Sequence, residues 1–147
     1  MKKKDIKINN KLIHQSKLLK YFMNEISSKK IEKETNDFLK KVKKNKKYIF
    51  STKDIILLES LRSDGIEISN KYKNLYEFTP SVPSDIIAMV SNDESGMALL
   101  RIVEIIGEDK LNVLGSETLN FIIYTLNQMN IDTIRNKILL EVLPLKV

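Results

Sequence analysis

The fold is decided by the last third of the chain, Ser95–Val147, which reads SGMALLRIVEIIGEDKLNVLGSETLNFIIYTLNQMNIDTIRNKILLEVLPLKV. Its first part, Met97–Ile106, is apolar except for Arg101 and Glu104. A helix that is apolar nearly all round is normally buried among neighbours, and Gly107 supplies a C-cap. We therefore expect a core helix here, with a buried strand as the alternative for so short an apolar run.

Two more helices follow at short intervals. Apolar residues recur at helical spacing over Leu119–Met129 and again over Ile134–Val142. Ser116 and Asp132 are suitable N-caps for these helices, and Pro144 ends the second because proline lacks an N–H. Connections this short join antiparallel neighbours, so the region predicts helix hairpins.

The rest of the chain is also helical by its spacing and caps. The predicted helices span Lys11–Ile26, Lys30–Lys44, residues 51 or 52 to 63, and Asp85–Val90, with an irregular connector containing one short helix over residues 66–82. No segment reads as part of a sheet. We predict an all-α fold of six to seven short helices in consecutive helix hairpins, forming either an irregular bundle or an α-solenoid fragment.

Length and composition bound the class of protein. A chain of 147 residues predicts a single α-helical domain over 1–147, with a basic helical hairpin and frayed N-terminal lead over 1–50 and a helical-repeat-like core over 51–147. Cysteine is absent, which excludes disulfides and thiolate chemistry. No apolar run reaches the roughly 18 residues of a membrane span, and no signal-peptide pattern follows the first lysines. We expect a cytoplasmic location.

The charge is unevenly distributed along the chain. Residues 1–50 carry a net charge of +11, whereas residues 51–147 carry −5. Such asymmetry indicates an anionic partner for the first third, or contact between the two parts. A bias toward AT-rich codons is the alternative explanation, because 55 of the residues are Lys, Ile or Asn.

The densest positive run lies at residues 42–50, VKKNKKYIF, where lysines stand next to aromatic residues. Basic surfaces with stacking aromatics bind single-stranded nucleic acid. The alternative is a solvated helix C-terminus, where lysines are favourable without any partner, followed by aromatics that enter the core. The candidate contacts for nucleic acid or another anion are Lys40, Lys41, Lys43, Lys44, Lys46, Lys47 and Tyr48.

Few residues are suited to catalysis. His14 is the single histidine and cysteine is absent, so a zinc site lacks the further ligands that it needs. A Ser–His pair could use only His14 as its base. The four glycines form no phosphate-binding loop. Glu104 and Glu108 are four residues apart and could act as acid and base in a pocket, but a polar helix end explains them as well. We predict a protein that is not an enzyme, with no cofactor, metal or small-molecule ligand.

Three segments carry a family resemblance: ILLESLRSDGIEIS (56–69), SGMALLRIVEIIGED (95–109) and residues 116–147. They resemble the C-terminal end of a group of uncharacterised alphaproteobacterial proteins that look like long helical-repeat chains. The resemblance implies an α-helical repeat cap, with envelope association if the chain belongs to a longer exported protein, and no established activity. Because a long preceding repeat region and an export signal are missing, we expect a short relative, a detached terminal module or a fragment.

These observations predict a non-enzymatic helical interaction or scaffold module that binds a protein partner or a second copy of itself. A helix that caps a repeat array normally has a polar outer face, but the last helix carries several leucines. Either the first helices or another chain must cover these leucines. The candidate interaction surface is Leu139, Leu140, Leu143 and Leu145. The alternative function is nucleic-acid or anionic-surface binding through the lysine-rich first third.

Overall fold

The chain is all-helical in the computed structural model, which describes residues 16–45, 47–76, 80–108 and 110–143. No strand occurs among these residues, so the predicted all-α class is confirmed. The α-helices are α1 (Ser28–Lys44), α2 (Thr52–Ser63), α3 (Lys73–Tyr76), α4 (Ser84–Ser91), α5 (Ser95–Ile106), α6 (Ser116–Gln128) and α7 (Asp132–Val142). Short 3-10 helices span Lys17–Met23, Asn70–Tyr72 and Leu111–Val113.

The centre of the core is the contact between α2 and α6, two helices that are far apart in the chain. Packing between elements distant in sequence is typical of an irregular bundle, since each unit of a solenoid contacts only its neighbours. The apolar periodicity predicted for α6 is confirmed by the burial of its inner face. The central side chains, each at most 3% exposed, are Ile56, Leu57, Leu58, Leu61, Leu119, Ile122, Ile123 and Leu126.

The first predicted helix differs from the structure in its described part. Residues 11–15 lie outside the described residues, and Lys17–Met23 is a 3-10 helix rather than part of an α-helix ending at Ile26. Asn24 ends it in the left-handed conformation, with φ of 59°, which asparagine tolerates better than most residues. The end is closed because the N–H groups of Asn24 and Glu25 donate to carbonyls of the preceding turn.

Local capping signals predicted the start of α2 correctly and the starts of α6 and α7 to within one residue. Ser51 and Asp54 form the predicted capping box at the start of α2: the Asp54 N–H donates to Ser51 Oγ at 3.2 Å, and the Ser51 N–H donates to Asp54 Oδ2 at 3.1 Å. Each satisfies a backbone N–H that the helix itself leaves unpaired. Ser116 and Asp132, predicted as N-caps, are instead the first residues of α6 and α7. Gly115 and Ile131 occupy the cap positions, and neither makes a side-chain cap hydrogen bond.

The connector after α2 is held by side chains of α1. Asn36 Nδ2 donates to the Glu67 carbonyl at 2.9 Å, and the Ser69 N–H donates to Asn36 Oδ1 at 2.9 Å. The Glu67 N–H donates to Glu32 Oε1 at 2.7 Å. Residues 66–69 therefore lie beside α1 outside any regular helix or strand, because two side chains of α1 satisfy backbone groups of the connector.

Candidate interaction surfaces

The most exposed apolar surface on a helix lies on α5. Met97, Leu100 and Val103 are 55%, 66% and 57% exposed, and they project from one side of the helix at three-residue spacing. Ala98 and Ile102 are the buried residues of the same helix. We call Gly96, Met97, Leu100, Val103 and Gly107 the α5 face. The prediction that this helix is buried nearly all round was wrong, because α5 packs chiefly on α4 and its other side remains exposed.

Charged side chains fix α5 against α4 beside this face. Arg101 Nε donates to Asp85 Oδ2 at 2.8 Å, and Arg101 Nη1 lies 3.4 Å from Glu104 Oε2. The hydrogen bond from Arg101 lowers the pKa of Asp85 below the usual range for aspartate, and the same contact raises the pKa of Arg101. The side chains of Arg101, Asp85 and Glu104 are 40%, 44% and 70% exposed. Ion pairs that water reaches this easily contribute little to stability, so these contacts mainly orient the hairpin.

The predicted leucine surface on the last helix is covered by the chain itself. Leu139 and Leu143 are fully buried in the core, and Leu140 is half-buried against it. Leu145 lies outside the described residues. The surface was assigned wrongly for the buried leucines, because α7 also packs on the Lys17–Met23 and Leu111–Val113 segments and not only on α6.

The candidate lysines lie at the exposed C-terminal end of α1 and in the loop that follows. Lys40, Lys41, Lys44 and Lys47 are exposed, and Lys46 lies outside the described residues. Lys43 differs from the others because its ammonium group lies 5.9 Å from the centre of the Tyr72 ring, which Lys71 also approaches at 5.4 Å. A lysine held over an aromatic face contributes a cation–π contact within the fold.

Tyr48 is engaged by contacts within the fold, through both its hydroxyl and its ring. Its hydroxyl donates to Asp54 Oδ2 at 3.0 Å, and its ring meets the Phe50 ring edge-on with the centroids 5.2 Å apart. Tyr48 and Phe50 are both half-buried against the core. They therefore fit the alternative interpretation, in which the aromatics of this segment enter the core after a solvated helix end. The lysines remain the exposed part of the predicted patch.

The residues weighed for catalysis are dispersed. His14 lies outside the described residues, whereas Glu104 and Glu108 are exposed at and beyond the end of α5. In the described part of the chain, no three acidic or histidine side chains converge on a site for a metal ion. None of the described helices combines the length and the apolar composition of a membrane span.

A groove with a volume of about 690 Å³ lies between α1 and the connector. It is lined by polar side chains that include Glu32, Asn36 and Arg62. The first two are already engaged by backbone groups of residues 67–69. The groove is therefore a consequence of how the connector is held.

One polar cluster was missed at the level of sequence. Arg135 of α7 is fully buried, and its guanidinium donates to both carboxylate oxygens of Asp64 at 2.7 and 2.8 Å. It also donates to Asn127 Oδ1 at 3.1 Å and lies 5.6 Å from the centre of the Phe22 ring. The signal available in the sequence was that Arg135 shares the helix face of Ile138 and Leu139.

Comparisons with known proteins returned no match to a family model, to a curated protein or to a solved structure.

Proposed function

We propose that the protein is a helical interaction module that associates with a second copy of itself through the α5 face. The observation that carries this proposal is the exposure of Met97, Leu100 and Val103 on a well-formed helix. Apolar side chains exposed side by side on a surface mark interaction sites more often than single exposed ones do.

The order of residues on the α5 face supports self-pairing. Gly96, Leu100 and Val103 follow one another within α5 at intervals of four and three residues, which is the spacing of a helix-pairing seam. Gly107 comes four residues after Val103 and is the C-cap of the helix. The sizes of these four residues run small, large, large, small, so the pattern reads alike in both directions. In an antiparallel pair with two-fold symmetry, Leu100 of each copy would meet Val103 of the other, and the glycines at either end would allow close approach.

The size of this contact predicts a weak dimer. A helix of 12 residues is about 18 Å long, and three apolar side chains bury much less than the roughly 800 Å² per partner of a standard stable interface. We therefore expect association that depends on concentration in the micromolar range.

Sedimentation equilibrium over a range of concentrations tests the proposal. We expect the mean mass to rise from monomer to dimer and to stop there, because a two-fold interface is closed. Leu100→Glu places a charge at the centre of the seam and should leave the chain monomeric. Val113→Glu, which changes an equally exposed residue outside the α5 face, should dimerise like the wild type.

Cross-linking tests the antiparallel register. The chain lacks cysteine, so Leu100→Cys and Val103→Cys each introduce a single thiol. An equimolar mixture should give more disulfide-linked dimer on oxidation than either variant alone, because the pairing joins position 100 to position 103. A wild-type chain that remains monomeric at every concentration, or Leu100→Glu and Val113→Glu variants that behave alike, would contradict the proposal.

A further inference from the structure

A line of lysines follows the outer face of α1. Lys29, Lys33, Lys40 and Lys44 are all exposed, and their intervals of four, seven and four residues place them on one side of the helix. The opposite side is buried through Ile31, Thr35, Leu39 and Val42. The lysine line, as we call these four residues, extends over roughly 22 Å at the ordinary helical rise.

The acidic residues of α1 do little to neutralise the lysine line. Glu32 accepts the N–H of Glu67, and Glu34 pairs with Lys17 at 3.2 Å. Both contacts lie toward other elements of the fold. Asp37 is exposed beside the line and is the remaining carboxylate of the helix. The four lysines therefore form a positive strip along one exposed helix.

An exposed isoleucine follows this strip along the chain, five residues after Lys44. Ile49 is 85% exposed, which makes it the most exposed large apolar side chain among the described residues. Asn45 shapes the loop before it, because the Tyr48 N–H donates to the Asn45 carbonyl at 3.0 Å and the Lys47 N–H to its Oδ1 at 3.2 Å. Ile49 thus follows directly after a hydrogen-bonded turn, and we call its side chain the apolar tip.

The residues on either side of Ile49 hold this tip outward. Tyr48 is anchored through its hydroxyl to Asp54, and its ring packs on that of Phe50. Both aromatics pack against the core, whereas Ile49 between them points away from it. Because both neighbouring aromatics are anchored against the core, the Ile49 side chain between them is left on the solvent side.

We propose that the lysine line and Ile49 together form a docking surface for a bilayer that contains anionic phospholipid. Lysines near such a surface are attracted by the charged headgroups, and their long aliphatic stems let the ammonium groups remain in the headgroup layer. An apolar tip beside them can enter the boundary between headgroups and acyl chains. Nucleic acid explains the exposed lysines but not Ile49, and Tyr48 is already engaged within the fold.

Vesicle co-sedimentation of the full chain tests the proposal. We expect binding to vesicles of phosphatidylcholine with phosphatidylserine, no binding to phosphatidylcholine alone, and a steep decline as salt is raised. Lys40→Gln with Lys44→Gln should weaken binding by about 25-fold, since each lysine near the surface contributes about fivefold. Lys110→Gln with Lys137→Gln removes the same charge from exposed positions on other elements and should leave binding nearly unchanged.

A second pair of variants tests the apolar tip. Ile49→Ser should weaken vesicle binding by about tenfold through the loss of buried aliphatic surface. Val113→Ser, at a residue 66% exposed elsewhere, should bind like the wild type. Equal losses from the two lysine pairs, binding unaffected by Ile49→Ser, or binding to a nucleic-acid duplex without binding to the vesicles would each overturn the proposal.

Discussion

The Arg135 guanidinium donates hydrogen bonds to both carboxylate oxygens of Asp64, at 2.7 and 2.8 Å. Asp64 lies 71 positions earlier in the chain. Arg135 is fully buried, whereas the Asp64 side chain is 12% exposed. Tyr21 adds a third member, because its hydroxyl donates to Asp64 Oδ2 at 3.2 Å. The pair therefore ties the end of α2 to α7 and to the 3-10 helix before α1.

Removing the carboxylate should destabilise the fold strongly. Asp64→Ala leaves the buried Arg135 guanidinium with the exposed Asp132 carboxylate, at 3.5 Å, as its acidic partner. Because the two close contacts to the less exposed carboxylate are lost, and breaking a buried ion pair costs about 3–5 kcal/mol, the loss should be large. We expect the free energy of unfolding in urea, followed by circular dichroism, to fall by that amount. Asp85→Ala, which removes the exposed partner of Arg101, is the matched control and should change it little.

Replacing both partners distinguishes the effect of the charges from the effect of the volume that the two side chains fill. Arg135→Met combined with Asp64→Leu leaves no unpaired buried charge, so the double variant should recover part of the stability that Asp64→Ala loses. A single Asp64→Ala variant as stable as the Asp85→Ala control would show that the pair contributes little to the fold.

The Tyr21 hydroxyl predicts a loss of stability at alkaline pH. Burial raises the pKa of Tyr21, and the negative charge of Asp64 and its hydrogen bond raise it further. The folded state therefore holds this proton more tightly than the unfolded state does. The resulting stabilisation is fully present below the ordinary tyrosine pKa of about 10 and is lost as the pH rises through the higher pKa of the folded state.

Tyr21→Phe checks this dependence. We expect the variant to lose about 1 kcal/mol at neutral pH through the missing hydrogen bond, and to show a shallower decline in unfolding free energy above about pH 10. Urea unfolding at a series of pH values measures both effects. Tyr124→Phe, at a half-buried position of α6, is the control; identical alkaline slopes for the two variants would refute the role of Tyr21.

Asn36 should control the local protection of the connector. In Asn36→Ala, the Ser69 N–H loses the acceptor that it has at 2.9 Å, so its amide should exchange with solvent about tenfold faster. The Ile66 amide is an internal control, because it donates to the Leu61 carbonyl at 3.1 Å independently of Asn36. Hydrogen exchange followed by NMR measures both amides, and an unchanged Ser69 rate would contradict the prediction.

Local patterns predicted the helices and several of their ends. The capping box of Ser51 and Asp54, the start of α6 and its buried face from Leu119 to Leu126 all depend on residues within a few positions of one another. Such signals act through the backbone of one segment. Their effect does not depend on how the segment packs against the rest of the chain, so these features can be predicted directly from the sequence.

Burial was harder to predict, because a residue's own segment does not determine what covers it. The apolar helix α5 exposes Leu100, whereas the last helix buries Leu139 and Leu143. Both helices are rich in apolar residues. The burial of their apolar side chains differs because α7 packs against several elements of the fold, while α5 has α4 as its main neighbour.

The sequence by itself determined that this protein is helical and where most of its helices begin, since helix formation and capping are short-range properties of the chain. Only the tertiary structure decided which apolar faces are covered, how Arg135 finds Asp64, and that Ile49 points outward between two anchored aromatics. The contact of Arg135 with Asp64 joins residues 71 positions apart, and the direction of Ile49 depends on which of its neighbours pack against the core. In each case packing chooses among the arrangements that the local pattern allows.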